Sequence, residues 1–212
     1  MKDKPMIPYD RKQYEVALSL LPKSDKKLKL LEVGASDKIL KDILPKNIEY
    51  FSSDHEGEND FVVDLNKGKI PIKDNEFDIL VCLETLEHIF YPEKIIKEFK
   101  RIVKDDGILI ISMPNEYNIW LRLNYLFARD VWNENAFNTI MVHRHIHHPR
   151  VKDIVGICTK YFKILKVKHV WFTQKGGKNF VVKSFDRILN SLAKVYPSLF
   201  SRVVVVLCGN DK

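Results

Sequence analysis

Between Leu30 and Asn115 the chain passes through a series of short, mostly apolar runs that carry a small or polar residue at or near their ends. The runs are Leu30 to Ser36, Ser52 to Asp54, Val62 to Leu65, Phe77 to Glu84, and Gly107 to Asn115. Between them lie stretches with apolar residues at helical spacing, such as Ile39, Leu40, Ile43 and Leu44, or Ile95, Ile96, Phe99, Ile102 and Val103. Strands alternating with amphipathic helices fold into an open parallel sheet with helices on both faces. Ligands of such sheets lie beyond the carboxyl ends of the strands, where this chain concentrates Gly, Asp, Glu and Asn.

The boundaries follow from the same patterning. Tyr14, Val16, Ala17, Leu20 and Leu21 mark a helix ending before Pro22. Strands are expected over Leu28–Val33, Ile48–Ser52, Phe61–Leu65, Phe77–Leu83, Ile108–Met113, Phe162–Phe172 and Arg202–Cys208, with a turn at Asp105–Gly107. Further helices are expected over Asp37–Leu44, Pro92–Val103, Val151–Thr159 and Lys183–Tyr196. Phe77–Leu83 is apolar apart from Asp78, the mark of a strand buried on both faces. The expectation is a Rossmann-like, doubly wound, mostly parallel seven-stranded α/β sheet. It forms one domain over residues 1–212: a core at 28–115, a variable segment at about 116–150, and a closing part at 151–212.

At 212 residues the chain is long enough for a full core. The 35 Lys and Arg outnumber the 28 Asp and Glu, but they are scattered rather than blocked, so a solvated basic surface is expected. Cys82, Cys158 and Cys208 are far apart and form no paired motif, which suits a reducing cytoplasm. No apolar run has the length of a membrane span, and no signal region follows the N-terminus.

Gly34 ends the first strand where the backbone must turn tightly and admit a ligand. Asp54 follows twenty positions later, the spacing at which an acid meets a ribose diol in βαβ units. A carboxylate suits two neighbouring hydroxyls because it accepts two hydrogen bonds at once. Where a dinucleotide loop has further glycines, this chain has Ser36 and Lys38. That argues against a wrapped pyrophosphate and for a cofactor without phosphates.

The run Phe77 to Ile89, followed by Pro92, Glu98, Arg101, Gly107 and Met113–Asn115, resembles the class I S-adenosylmethionine-dependent methyltransferases. Within them it is most similar to the small-molecule branch that includes the ubiquinone-type O-methyltransferases. The resemblance implies S-adenosylmethionine as cofactor. It implies Glu32, Gly34, Ala35 and Ser36 around its methionine end, Asp54 on the ribose, His55 beside the adenine, Asp64 and Leu65 at the adenine amino group, and Leu83 and Glu84 near the sulfonium. It also places a substrate lid after the fifth strand. The departures at Ser36 and Lys38 keep a second reading open, a binding protein with a degenerate cofactor pocket.

A hydroxyl acceptor needs a base, an amine only deprotonation and positioning. His88, after the fourth strand, and His145 are the candidate acid–base residues; Asn115, Tyr117, Trp120, His143 and His147 are expected on the substrate side. His143, His145 and His147 would share one face of an extended segment, but no carboxylate or Cys lies at ligand spacing, so no metal site is expected. Arg122 and Arg129 interleave with Trp120, Leu126 and Phe127, a pattern compatible with peripheral membrane contact. The expected function is methylation of a small-molecule or lipid-linked acceptor on oxygen or nitrogen. An RNA-modifying methyltransferase is the rival, disfavoured by the lack of a base-flipping motif or RNA-binding module, so nucleic acid is not an expected partner.

Overall fold

The structure is a computed structural model and describes residues 11–129, 145–173 and 179–210. A seven-stranded sheet comprises β1 (Leu28–Val33), β2 (Ile48–Asp54), β3 (Phe61–Val62), β4 (Phe77–Leu83), β5 (Val103–Pro114), β6 (Lys163–Val170) and β7 (Val203–Gly209). Its order is β3-β2-β1-β4-β5-β7-β6, parallel from β3 through β5, with β7 antiparallel to both its neighbours. The helices are α1 (Lys12–Leu20), α2 (Ile39–Ile43), α3 (Pro92–Ile102), α4 (Ile119–Leu126), α5 (Val151–Thr159), α6 (Phe180–Ala193) and α7 (Pro197–Phe200). The expected mostly parallel, doubly wound sheet is therefore the observed one.

Alternation along the strands makes two cores. Leu31, Val33, Leu80, Cys82, Leu109 and Ile111 pack with Ile95, Ile96, Phe99 and Ile102 of α3 and with Ile154 and Cys158 of α5. Leu30, Ile79, Val81, Leu83 and Ile110 pack on the other side with Tyr14, Ala17 and Leu20 of α1 and Leu40 of α2. Six of the seven residues of β4 are buried, as its apolar run implied. All three cysteines are buried and free.

Two expectations are corrected. The third strand stops at Val62 rather than Leu65, because Asp64 Oδ1 accepts from Asn66 N at 3.0 Å and turns the chain into a short 3-10 segment, Leu65–Lys67. Asp105–Gly107 is not a turn between elements but lies within β5. The pairing with β4 jumps there from Phe77↔Val103 to Ile79↔Ile108, a bulge that absorbs the extra residues. Gly107 fits it because a Cβ would press on Asp78 O and on the Val103 side chain.

The parallel strands β1, β2, β4 and β5 all end on one edge, at Val33, Asp54, Leu83 and Pro114. The candidate site residues gather there.

Candidate active site

The first loop is built on Gly34, whose φ is +74° and where a Cβ would collide with Thr85 Oγ1. Gly34 N and Ala35 N both donate to Ser53 O, at 2.9 and 3.2 Å, tying the loop to β2. Ser36 and Lys38 have φ of 38° and 51°, so the two residues standing where glycines were expected adopt the left-handed backbone that glycine favours. Lys38 N donates to Ala35 O at 2.7 Å, and the Lys38 Nζ reaches Glu58 O. The loop therefore keeps its tight turn without the glycines.

Asp54 closes this turn from the end of β2. Its Oδ2 accepts from Ser36 N at 2.9 Å, while Oδ1 accepts from His55 N and pairs with His55 Nδ1, both at 2.6 Å. Burial works to raise its pKa, but the hydrogen bonds from Ser36 and His55 outweigh it and hold the carboxyl below its ordinary value. Asp54 is thus an ionised acceptor at the mouth of the loop. His55 is largely exposed, Asp64 caps the turn that follows β3, and Leu65 behind it is buried.

Beneath the loop Glu32 is buried within β1 and accepts from Tyr50 Oη at 2.6 Å. Burial pushes its pKa up to about 7 despite that bond, with Asp54 adding to the rise. Leu83 ends β4. Glu84 follows with φ 49°, its N donating to Ser112 O and its Oε1 accepting from Ser112 Oγ at 2.8 Å. Its carboxyl, tightly packed though partly open to solvent, is also raised to about 7 by burial, against the opposing pull of Ser112 and His145. Two carboxyls held near neutrality line the same edge.

Beyond Glu84 a 3-10 turn, Leu86–His88, begins an acid–imidazole cluster. Glu87 is fully buried, and neither carboxylate oxygen has a hydrogen-bond partner among the described residues. Burial raises its pKa well above the ordinary carboxyl range, and Glu84 and Glu116 add to the rise. The backbone of Glu87 docks the distant histidine segment: Ile146 N and His147 N donate to Glu87 O at 3.1 and 3.2 Å. That docking sets His145 edge-on to His88, ring centroids 4.8 Å apart, with His145 Nδ1 2.8 Å from Oε1 of buried Glu116. One ligand atom from each of Glu87, His88 and His145 lies within 4.8 Å of the others, a group able to hold a metal ion. Two imidazoles and a carboxylate suit a divalent transition metal. The sequence offered no carboxylate at ligand spacing from the histidines; the fold brings in Glu87 and Glu116 from separate elements.

The two candidate acid–base histidines are therefore neighbours. Of the expected substrate residues, Tyr117 and Trp120 are exposed at the start of α4. Asn115 is buried, and its Nδ2 donates to Ser198 O and Ser201 O at 3.1 and 2.9 Å. With Tyr117, Arg122, Arg150, Val151 and Ser198 it also lines a cleft of about 410 Å³. His147 is linked through Nε2 to Ile89 O at 2.8 Å and lines a smaller cleft with Met113 and Ile154. His143 lies outside the described residues. The sequence reading assigned no role to Glu87 or Glu116; the Glu–Thr–Leu–Glu–His run carried the first in plain sight, but only burial distinguishes it from a surface acid.

Comparison with known proteins agrees with this geometry. Residues 27–111 match the methyltransferase domain family. Over 45 residues, 21% of this chain and 19% of that protein, the chain is 49% identical to the ubiquinone biosynthesis O-methyltransferase of Glaesserella parasuis. Such matches span about a fifth of the curated relatives' length. Among solved structures, an S-adenosylmethionine-dependent methyltransferase from Mesorhizobium loti superposes with a TM-score of 0.61 at 12% identity, covering 95% of this chain and 100% of that one. Phosphoethanolamine N-methyltransferase 2 of Haemonchus contortus, solved with S-adenosyl-L-methionine, gives 0.59 at 11% identity over 95% of this chain and 53% of that one. The loop and strand-end residues described above lie within or just after the matched segment, so the part of the chain that carries them is the part similar to the methyltransferase domain family.

Proposed function

We propose that this chain transfers a methyl group from S-adenosylmethionine to a hydroxyl of a small or lipid-linked acceptor, working as one domain with residues 116–150 as its substrate lid. The cofactor supplies a sulfonium-bound methyl, displaced in line by an aligned nucleophile. The residues fit it. Asp54, ionised and with acceptor capacity beyond its three protein hydrogen bonds, takes the ribose hydroxyls. Asp64, Leu65 and His55 receive the adenine. Glu32, Gly34, Ala35 and Ser36 frame the methionine end, with Leu83 and Glu84 beside the sulfonium, where a carboxylate is favourable because that end is cationic.

The observation that carries oxygen over nitrogen is the cluster in which buried Glu87 and Glu116 meet the partly exposed imidazoles of His88 and His145. An amine, once deprotonated, attacks through its own lone pair, whereas a hydroxyl is a poor nucleophile unless a base takes its proton as the bond to carbon forms. His88 or His145 accepts that proton, with Glu116 orienting the His145 ring through Nδ1. The orphaned oxygens of Glu87 favour a divalent cation in the cluster, which would lower the pKa of a coordinated hydroxyl. Tyr117, Trp120, Asn115, His147 and, outside the described residues, His143 complete the acceptor side.

The test is calorimetric titration of the full chain with S-adenosylmethionine and S-adenosylhomocysteine. Micromolar binding that Asp54→Ala weakens by tenfold or more, about 1.4 kcal/mol, is the expected result. A folded chain that binds neither ligand would overturn the reading in favour of a binding role. Cofactor binding together with salt-sensitive retention and methylation of RNA would move the acceptor to nucleic acid.

A further inference from the structure

β6 and β7 are antiparallel neighbours that a tight hairpin would join, yet α6 and α7 intervene between Val170 and Val203. α6 is anchored by its inner side. Asp186 is buried and accepts from Thr173 N and Oγ1 at 3.0 and 2.6 Å. Asn190 Oδ1 accepts from Trp171 N and its Nδ2 donates to Trp171 O, both at 2.8 Å, and Leu189 and Ala193 are buried beside them.

The outer side is the anomaly. Val181, Phe185, Ile188 and Leu192 fall at i, i+4, i+7 and i+11, one stripe along the helix that Val195 continues in the turn just past its end, and all are exposed, from 38% at Leu192 to 71% at Val181. Phe180 and Tyr196 add exposed rings at its two ends. The helix is 14 residues long, about 20 Å, and only Asp186, Leu189 and Ala193 of it are buried. Such a stripe usually faces a core or a partner.

Charge chooses the partner. The exposed charged residues of α6 and its end are Lys183, Arg187 and Lys194, and its one acid, Asp186, is buried and bonded to Thr173. The adjacent edge strand β6 exposes Lys163, Lys166 and Lys168. A second copy of this surface would bring cation against cation; an anionic bilayer surface is complementary to it. A helix with a wide apolar sector, an opposite basic arc and aromatic ends is the pattern that lies in the interfacial plane. No helix among the described residues is long and apolar enough to cross a membrane.

We propose that α6 is a peripheral docking surface for anionic lipid bilayers, its Val181–Val195 stripe entering the headgroup region while Lys183, Arg187 and Lys194 reach the lipid phosphates. The docking does not depend on cofactor chemistry. Asn115, bonded to Ser198 and Ser201 just past α6, ties this insertion to the carboxyl edge of the sheet, so docking brings that edge toward the bilayer.

The test is flotation of the full chain with vesicles of phosphatidylcholine alone and of phosphatidylcholine mixed with phosphatidylglycerol. Flotation with the anionic vesicles only, weakened by salt, is the expected result. Paired Phe185→Ser and Ile188→Ser should cut partitioning by about tenfold or more, and Lys183→Gln and Lys194→Gln by about fivefold each. These exposed changes should leave the thermal melt unaltered. No flotation with either vesicle overturns the proposal, as does equal flotation with neutral vesicles. A concentration-dependent dimer in light scattering that Ile188→Ser dissolves, without vesicle binding, would assign the stripe to a second copy. A chain that floats but ignores S-adenosylmethionine sinks the methyltransferase reading and leaves this one standing.

Discussion

Ser36 and Lys38 show how a motif can be lost in letters and kept in backbone. An L residue held in the left-handed region costs about 1–2 kcal/mol relative to glycine, and here two such residues sit two positions apart. The fold tolerates them because Asp54 pins Ser36 N, and Lys38 N and Nζ reach Ala35 and Glu58. Lys38→Gly and Ser36→Gly should each raise stability by about 1 kcal/mol, seen as a higher urea midpoint at unchanged slope. A lower midpoint for Lys38→Gly would mean that its side-chain bond to Glu58 outweighs the backbone strain. The opposite change, Gly34→Ala, combines a positive φ with a collision at Thr85 and should cost about 3 kcal/mol. The substitutions at 36 and 38 were legible in the sequence. Their conformation was not, because it is imposed by Asp54 and Ser53 on a different strand.

At the scale of elements, the readable parts were those whose signal is local. β4 and α5 fall on their expected bounds because an unbroken apolar run and a Pro–Arg start mark them within their own residues. The third strand and the Asp105–Gly107 segment were misjudged for the converse reason. A side-chain cap ends one, and a neighbouring strand holds the other in a bulge. The acid–imidazole cluster is the extreme case, since the turn after β4, the segment after β5 and the stretch before α5 each supply part of it. Its histidines were visible singly, but their shared carboxylates exist only once Ile146 and His147 dock on Glu87 O. If that assembly holds a cation, manganese should raise the melting temperature. The gain is about 2.7 kcal/mol at roughly a hundredfold excess over the dissociation constant. Glu87→Gln should abolish the gain while leaving the metal-free melt nearly unchanged, because the buried carboxyl it replaces is already held toward its neutral form. An equal shift in wild type and variant would place the metal elsewhere.

For the whole molecule, the same burial that prepares the site works against the fold. Glu32 lies inside β1, between the two cores, and its pKa rises from the ordinary 4.5 to about 7. A carboxyl whose folded pKa is raised binds protons more tightly folded than unfolded. Its contribution to stability is therefore fully present below about pH 4.5 and is lost as pH climbs through about 7. The ligand-free protein should weaken across that window, and Glu32→Gln, which keeps an acceptor for Tyr50 Oη without the charge, should flatten the decline. At pH 8 the variant should be the more stable protein by about 3 kcal/mol. A buried acid that would be safer as an amide is reasonable only if its charge serves a ligand. A cationic methionine end beside Glu32 would draw off its proton, so cofactor affinity should rise with pH up to about 7, with proton release visible as a buffer-dependent heat of binding. Glu32→Gln should bind more weakly and lose that slope. Titrations at several pH values decide the matter: an identical slope in the variant would assign the pH dependence to another group and leave Glu32 as a packing residue bonded to Tyr50.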